Sequence, residues 1–170
     1  MNDKALRVIA SCGLVLGTVL GIAGTFAAPP MRGLAWGLDG TALVVASALL
    51  TLHHFRKGQD LVAAGFIVFA IGQALILSGA IMDPADVVSS FATGAGLWAA
   101  GLALISAPAV MPGLVRILGL ISAVLFAIVA LQVFSGSPLT AIARPLPLFA
   151  YPFFAATLLC WAWVYLREPG

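Results

Sequence analysis

The chain has 170 residues, of which 62% are hydrophobic and only 8% are charged, and its mean hydropathy is +1.14. Soluble domains carry about 25% charged residues, so a single water-soluble domain is excluded. The net charge of +2 is too small to indicate nucleic-acid binding, and no charged or low-complexity tract indicates a disordered segment.

Long apolar runs predict an all-α integral membrane protein. A helix needs about 20 apolar residues to cross a hydrocarbon core of about 30 Å. Six runs of this length predict six transmembrane helices, arranged as three hairpins in one polytopic domain covering residues 1–170. The predicted spans are residues 8–28, 34–55, 61–82, 87–107, 114–134 and 146–166. Proline, glycine and charged residues separate them, as expected for turns between helices.

The first span follows basic residues and ends near Thr25-Phe26-Ala27, as a secretory signal does. Its apolar run exceeds the roughly 7–15 residues of a signal core, so we expect a retained first helix. Gly13, Gly17 and Gly21 recur every four residues, and Gly24 extends the same face. Such a face packs closely against another helix. Packing within the chain is favoured over an oligomer contact.

Asp39 lies a few residues inside the second span, where an ionisable residue is a functional candidate by default. It has three interpretations. It caps a helix that starts at Gly40, it forms an ion pair with Arg32 or Arg144, or it is a proton or cation site. Capping or ion pairing is favoured.

His53 and His54 end the second span. Adjacent helical residues point about 100° apart, so the two rings cannot bind one metal ion, and we expect them to face lipid phosphates at the interface. Cys12 and Cys160 lack the paired spacing of a structural zinc site, and they lie on the predicted reducing side of the membrane. No metal, cofactor or disulfide is therefore predicted.

The third span contains a second regular pattern of glycines. Gly65, Gly72 and Gly79 recur at heptad spacing, which places them on one face and predicts another close helix contact. Gln73 lies beside this face among apolar residues, so its amide needs a partner within the protein.

Trp98 lies near the middle of the fourth span, at a depth matching that of Gln73 across the intervening turn. Lipid satisfies neither polar group, so we predict that Gln73 accepts a hydrogen bond from the Trp98 indole. Trp98, Gly72 and Gly96 also form a candidate ligand groove.

Aromatic residues near the span ends predict two interfacial belts. We expect Trp36 and Tyr151 at the outer interface, and Trp161, Trp163 and Tyr165 at the inner one.

The distribution of basic residues predicts the orientation. With a cytoplasmic N-terminus, the outer side carries only Arg32 and Arg144, and Asp83 and Asp86 lie outside. The inner side then carries Lys4, Arg7, Arg56, Lys57, Arg116 and Arg167. The positive-inside rule therefore predicts a multi-pass protein of a bacterial inner membrane with both termini in the cytoplasm.

No hydrolase, metalloprotease, P-loop or dinucleotide motif is present, and Asp39 alone among the carboxylates approaches membrane depth, so we expect no enzyme. The favoured function is a structural, accessory or assembly role through helix contacts with a second copy or a membrane partner, surrounded by lipid. One alternative is a small transporter or channel for a proton or weakly polar solute, using Asp39, Gln73 and Arg144. Another is a lipid- or quinone-binding membrane subunit. The scarcity of polar residues within the spans favours the first.

Overall fold

The structure is a computed structural model that describes residues 2–79 and 84–168, without the side chains of residues 84–86. Its helices are α1 (Asp3–Phe26), α2 (Pro29–Arg56), α3 (Asp60–Gly79), α4 (Pro84–Ser106), α5 (Gly113–Phe134) and α6 (Tyr151–Arg167). A short 3₁₀ turn, Leu148–Ala150, leads into α6. Six helical segments are long and apolar enough to cross a membrane, and the described residues contain no strand. Asp83 and the side chain of Asp86 lie outside the described residues.

Helix α2 begins at Pro29 and not near residue 34 as predicted. Pro29 and Pro30 occupy its first positions, where a backbone N–H has no helical partner and proline is well tolerated. The Pro-Pro pair therefore starts the helix and does not form a separate turn. At the other end, Gly58 has a φ of 68°, a left-handed conformation that suits glycine and lets the chain turn into α3.

The six helices form a closed antiparallel ring. Each helix contacts the next one along the chain, and α6 closes the ring by contacting α1. Within the described residues no other pair of the six helices has close backbone contacts. The antiparallel arrangement is visible where α6 meets α1, because Ser11 donates a hydrogen bond of 3.2 Å to the carbonyl of Ala162 and Arg7 reaches the carbonyl of Tyr165.

Glycines allow the backbones of α3 and α4 to touch. A Cβ at Gly65 would lie 3.0 Å from the carbonyl oxygen of Gly101, and one at Gly101 would lie 2.8 Å from that of Gly65. Gly72 and Gly94 face each other in the same way, with corresponding distances of 2.9 and 2.8 Å. Gly79 also lies against α4. Because lipid-exposed helices gain little from apolar burial, this close approach supplies van der Waals contact that holds the pair together.

The glycine face of α1 lies against α2. A Cβ at Gly13 would be 3.0 Å from the Cβ of Ala46, and one at Gly17 would be 2.6 Å from the Cγ of Leu43. Gly24 approaches Trp36 in the same seam. These glycines pack within the chain.

Replacing Gly17 with leucine is expected to destabilise the fold by about 1–3 kcal/mol, because the new side chain must displace Leu43. The measurement is the thermal unfolding midpoint in detergent. Gly33→Leu is the matched control, since no atom lies within 4 Å of a Cβ at Gly33. Equal midpoints for the two variants would show that the Gly17 face does not contribute to packing.

Aromatic side chains fill the centre of the ring. The array comprises Phe66, Phe69, Trp98, Phe126, Phe154, Trp161 and Tyr165. The closest ring centroids are those of Trp98 and Phe154, 4.8 Å apart, and those of Phe66 and Trp161 are 5.1 Å apart. Large rings bridge the space between facing helices and give the contact area that packs this core.

Trp161 and Tyr165 do not face the membrane interface as expected, because both side chains are buried in the aromatic core. Their positions on α6 turn them toward the inside of the ring. Trp163 faces outward, and the Arg167 guanidinium lies 3.8 Å from its ring centroid. The sequence indicates the depth of these rings but not the direction in which they point.

Candidate functional site

Asp39 lies on the seam between α1 and α2. It follows the first residue of α2 by ten positions, about 15 Å along the helix axis, so it cannot cap that helix. Its carboxylate contacts the glycine face of α1, with Oδ1 3.2 Å from a Cβ position at Gly17 and Oδ2 3.1 Å from one at Gly21. Oδ1 is buried without a hydrogen-bond partner in the described part of the chain.

The favoured interpretations of Asp39 are therefore wrong, because it neither caps a helix nor forms an ion pair among the described residues. Arg144 is exposed in the loop before α6. Arg32 donates a hydrogen bond of 3.1 Å to the carbonyl of Ala27 and lies 5.8 Å from the ring centroid of Trp36. The structure thus leaves a carboxylate within a candidate transmembrane helix without a counter-ion from either arginine.

The predicted hydrogen bond between Gln73 and Trp98 is not formed. Gln73 Oε1 and Trp98 Nε1 are both buried without a hydrogen-bond partner among the described residues. Trp98 Cδ1 lies 3.1 Å from a Cβ position at Gly72, while the Gln73 amide nitrogen lies 3.3 Å from one at Gly40 in α2. Gly72 and Gln73 are adjacent and point about 100° apart. Trp98 therefore lies at the expected depth but contacts Gly72, the residue before Gln73. The Gln73 side chain faces α2.

The candidate groove at Trp98 is filled. Gly72 is covered by the backbone of Gly94 and by Trp98 itself, whose ring stacks on Phe154. Gly96 faces α5, where a Cβ would lie 3.6 Å from that of Ala130. Two cavities in the described part of the chain lie away from Trp98, one of about 290 Å³ on the outer face of α5 and one of about 280 Å³ between α1 and α6.

A second polar group lies at the end of the bundle that carries both chain ends. We name it the terminal clasp. Its members are Asp3 and Arg7 of α1, His53 and His54 of α2, and Tyr165 and Glu168 at the end of α6. It joins three helices at the place where the ring closes.

Arg7 is the central cation of the clasp and is only 2% exposed. Its Nε lies 3.4 Å from a carboxylate oxygen of Asp3, and its Nη1 lies 3.7 Å from one of Glu168. Nη1 also donates to the carbonyl of Tyr165 at 3.4 Å and to that of Glu168. One side chain thereby donates to two carbonyls at the end of α6 and lies close to carboxylates from both chain ends.

The two histidines are buried in the clasp, so the prediction that they face lipid phosphates is wrong. His53 Nδ1 lies 2.9 Å from Asp3, and His53 Nε2 lies 3.2 Å from Glu168. A neutral ring has a single N–H, so it donates to one of these two carboxylates at a time. His54 Nε2 lies 2.7 Å from the Tyr165 hydroxyl, and its Nδ1 contacts the Gln59 amide oxygen. Those partners suit a neutral ring that donates to Gln59 and accepts from Tyr165.

The sequence contains a signal for the clasp. An even number of spans brings both termini and the end of α2 to one side, so Asp3, Arg7, His53 and Glu168 share a level. The sequence interpretation assigns the arginine to orientation alone and the histidines to the lipid interface. Opposite charges at one level make these residues candidates for pairing, although the level alone does not show which helices meet.

Within the described residues no group of three or more His, Cys, Asp or Glu side chains is arranged to hold a metal ion. Cys12 is exposed, Cys160 is half-buried, and both are free thiols.

No protein-family model, curated protein or solved structure matches this chain.

Proposed function

We propose that this chain is a non-enzymatic, multi-pass membrane protein that acts as an accessory or assembly protein through the outer faces of its helices. Its partner is a second copy or another membrane protein, and nucleic acid is not a partner. The observation that carries the proposal is the filled centre of the ring. Large aromatic rings occupy the space where a transporter keeps a polar path or an enzyme keeps a pocket.

The outer faces support this role. They carry large apolar side chains, including Leu16, Val45, Ile67 and Val124, each about half exposed in the isolated chain. In a bilayer such faces meet either lipid tails or another transmembrane helix, and a helix partner is recognised by shape.

Extraction from the native membrane into lipid-containing polymer discs tests this proposal. We expect the chain to be released with a second copy or a membrane protein in fixed stoichiometry, measured by mass photometry and quantitative mass spectrometry. A monomer without a protein partner that carries a stoichiometric small molecule would contradict it.

The proposed location is a bacterial inner membrane with both termini in the cytoplasm. Support comes from the basic residues at the end that carries the termini, among them Lys4, Arg56, Lys57 and Arg116, whereas Arg32 and Arg144 lie toward the other end.

We expect a single cysteine at Asp86 to react with a membrane-impermeant reagent added from the periplasm, and one at Lys57 to react only after the cells are opened. Cys12 and Cys160 are replaced by serine so that no native thiol reacts. Periplasmic labelling at both positions, or at Lys57 alone, would contradict the orientation.

A second candidate function is a proton or cation site at Asp39, and the buried, unpartnered Oδ1 favours it. A charge without a partner at such a depth is costly, so a proton or a bound cation would relieve it. The Gln73 amide nitrogen lies 3.3 Å from a Cβ position at Gly40, the residue after Asp39, and the Gln73 amide oxygen has no partner among the described residues. Exposed Arg144 adds nothing to this site.

Under this second candidate, Asp39→Asn abolishes a proton- or cation-dependent flux into vesicles while the protein stays folded. Asp60→Asn is the control, because Asp60 is an exposed carboxylate at the start of α3. Absence of flux in the parent protein, or equal flux in both variants, would exclude a transport role for Asp39. If Asp39 has no transport role, Asp39→Asn is expected to leave the free energy of unfolding unchanged or to raise it by about 1 kcal/mol, because the substitution removes an unpaired charge.

A further inference from the structure

A groove opens between α1 and α6 beside the terminal clasp. It encloses about 280 Å³, and its lining residues are Lys4, Arg7, Val8, Tyr165, Leu166 and Glu168. The lipid- or quinone-binding alternative was placed at Trp98, where the space is filled. The groove between α1 and α6 is separate from the filled space at Trp98.

The lining of the groove has two chemical parts. Lys4, Arg7 and Glu168 form a charged wall at the end of the bundle, whereas Val8 and Leu166 are apolar and are 40% and 51% exposed. A ligand that touches both parts is an amphiphile with a charged head and an apolar chain. A membrane supplies such molecules in the form of phospholipids.

The net positive charge of this lining favours a ligand with an anionic headgroup. The carboxylate of Glu168 is already bound by Lys57 and lies 3.2 Å from His53, and that of Asp3 is bound by Arg7 and His53. Arg7 and Lys57 therefore balance the two carboxylates. Lys4 is exposed and forms no ion pair with any described residue, which leaves a positive charge at the mouth of the groove.

We propose that the groove binds the head of one anionic phospholipid, with its phosphate at Lys4 beside Arg7 and its first acyl carbons along Val8 and Leu166. The inference rests on the proposed membrane location and does not depend on the proposed protein partner. Interfacial lysines attract anionic headgroups in this way, and the bound lipid would cover the seam at which the ring closes.

Native mass spectrometry tests this site on full-length protein released from nanodiscs of equal parts phosphatidylethanolamine and phosphatidylglycerol. We expect one retained phosphatidylglycerol on the parent protein. Lys4→Gln should reduce its retention about fivefold, the contribution of one interfacial lysine. Arg56→Gln is the control, because Arg56 is an exposed cation at the same end of the bundle that does not line the groove. The unfolding midpoints of both variants should equal that of the parent.

Equal losses in Lys4→Gln and Arg56→Gln, or equal retention of the two lipids by the parent, would overturn the lipid site. Binding of inorganic phosphate by the lipid-free protein, lost in Lys4→Gln, together with no retained lipid would overturn it in favour of a free-phosphate site. A chain that does not enter nanodiscs would contradict the membrane location as well, so the two failures are distinguishable.

Discussion

Gly101→Leu is expected to separate α3 from α4 and to destabilise the protein by about 3 kcal/mol or more. A Cβ at this position would lie 2.8 Å from the carbonyl oxygen of Gly65 and 2.9 Å from the backbone nitrogen of Phe69. These are backbone atoms, so no side-chain rotation can make room. The two helices must move apart, and with them the aromatic rings that they carry into the core.

The thermal or denaturant midpoint of unfolding in detergent measures this effect. Gly101→Ala should already lower the midpoint, since its Cβ meets the same atoms. Gly37→Leu is the matched control, because a Cβ at Gly37 has no neighbour within 4 Å. A Gly101→Leu protein as stable as the Gly37→Leu protein would show that α3 and α4 do not touch at this point.

Arg7→Gln is expected to cost about 1–3 kcal/mol, because a buried cation and its hydrogen bonds are lost while the remaining carboxylates are partly exposed and keep contacts to His53 and Lys57. The variant removes the buried cation that contacts both Asp3 and Glu168, and it leaves the carbonyl of Tyr165 without this donor. The seam between α1 and α6 should open first, because the arginine joins the two helices there.

Two variants separate this effect from a general loss of positive charge. Arg56→Gln removes an exposed cation at the same end and should leave the unfolding midpoint unchanged. Arg7→Lys keeps the charge but not the forked donor, so it should recover only part of the lost stability. Equal midpoints for Arg7→Gln and Arg56→Gln would contradict the clasp as a stabilising element.

Local sequence patterns predict the helices well because each apolar run has the length of a span. The starts of α1, α2 and α6 each differ by five residues from the predicted spans, and the start of α2 is the difference that affects the site. Pro29-Pro30 has the composition of a turn, yet proline is also well suited to the first positions of a helix. That shift places Asp39 well within the helix and removes the capping interpretation.

Contacts between helices depend on rotation about the helix axis, which depth alone does not determine. Gln73 and Trp98 lie at matching levels, but Gly72 is the residue that meets Trp98. Similarly, Trp161 and Trp163 are two positions apart on α6, and one faces the core while the other faces outward. An apolar run in lipid gives little sign of which side is inward, because both sides are apolar.

The clasp escaped the sequence analysis because it is non-local. Arg7 and Glu168 are near opposite ends of the chain, and only the closure of α6 onto α1 brings them together. Each charged residue alone is well explained as a topology signal. Their joint role in the clasp becomes visible only when the helices are arranged in the ring.

Photo-crosslinking from the outer helix faces in intact membranes is the most direct test of the proposed role. A photoreactive amino acid is placed at one outward position of each helix. These positions are Leu16, Val45, Ile67, Ala100, Val124 and Trp163. We expect protein adducts, to a second copy or to one membrane partner, from one or two neighbouring helices and lipid adducts from the rest. Lipid adducts alone from all six positions would contradict a function that acts through the outer helix faces.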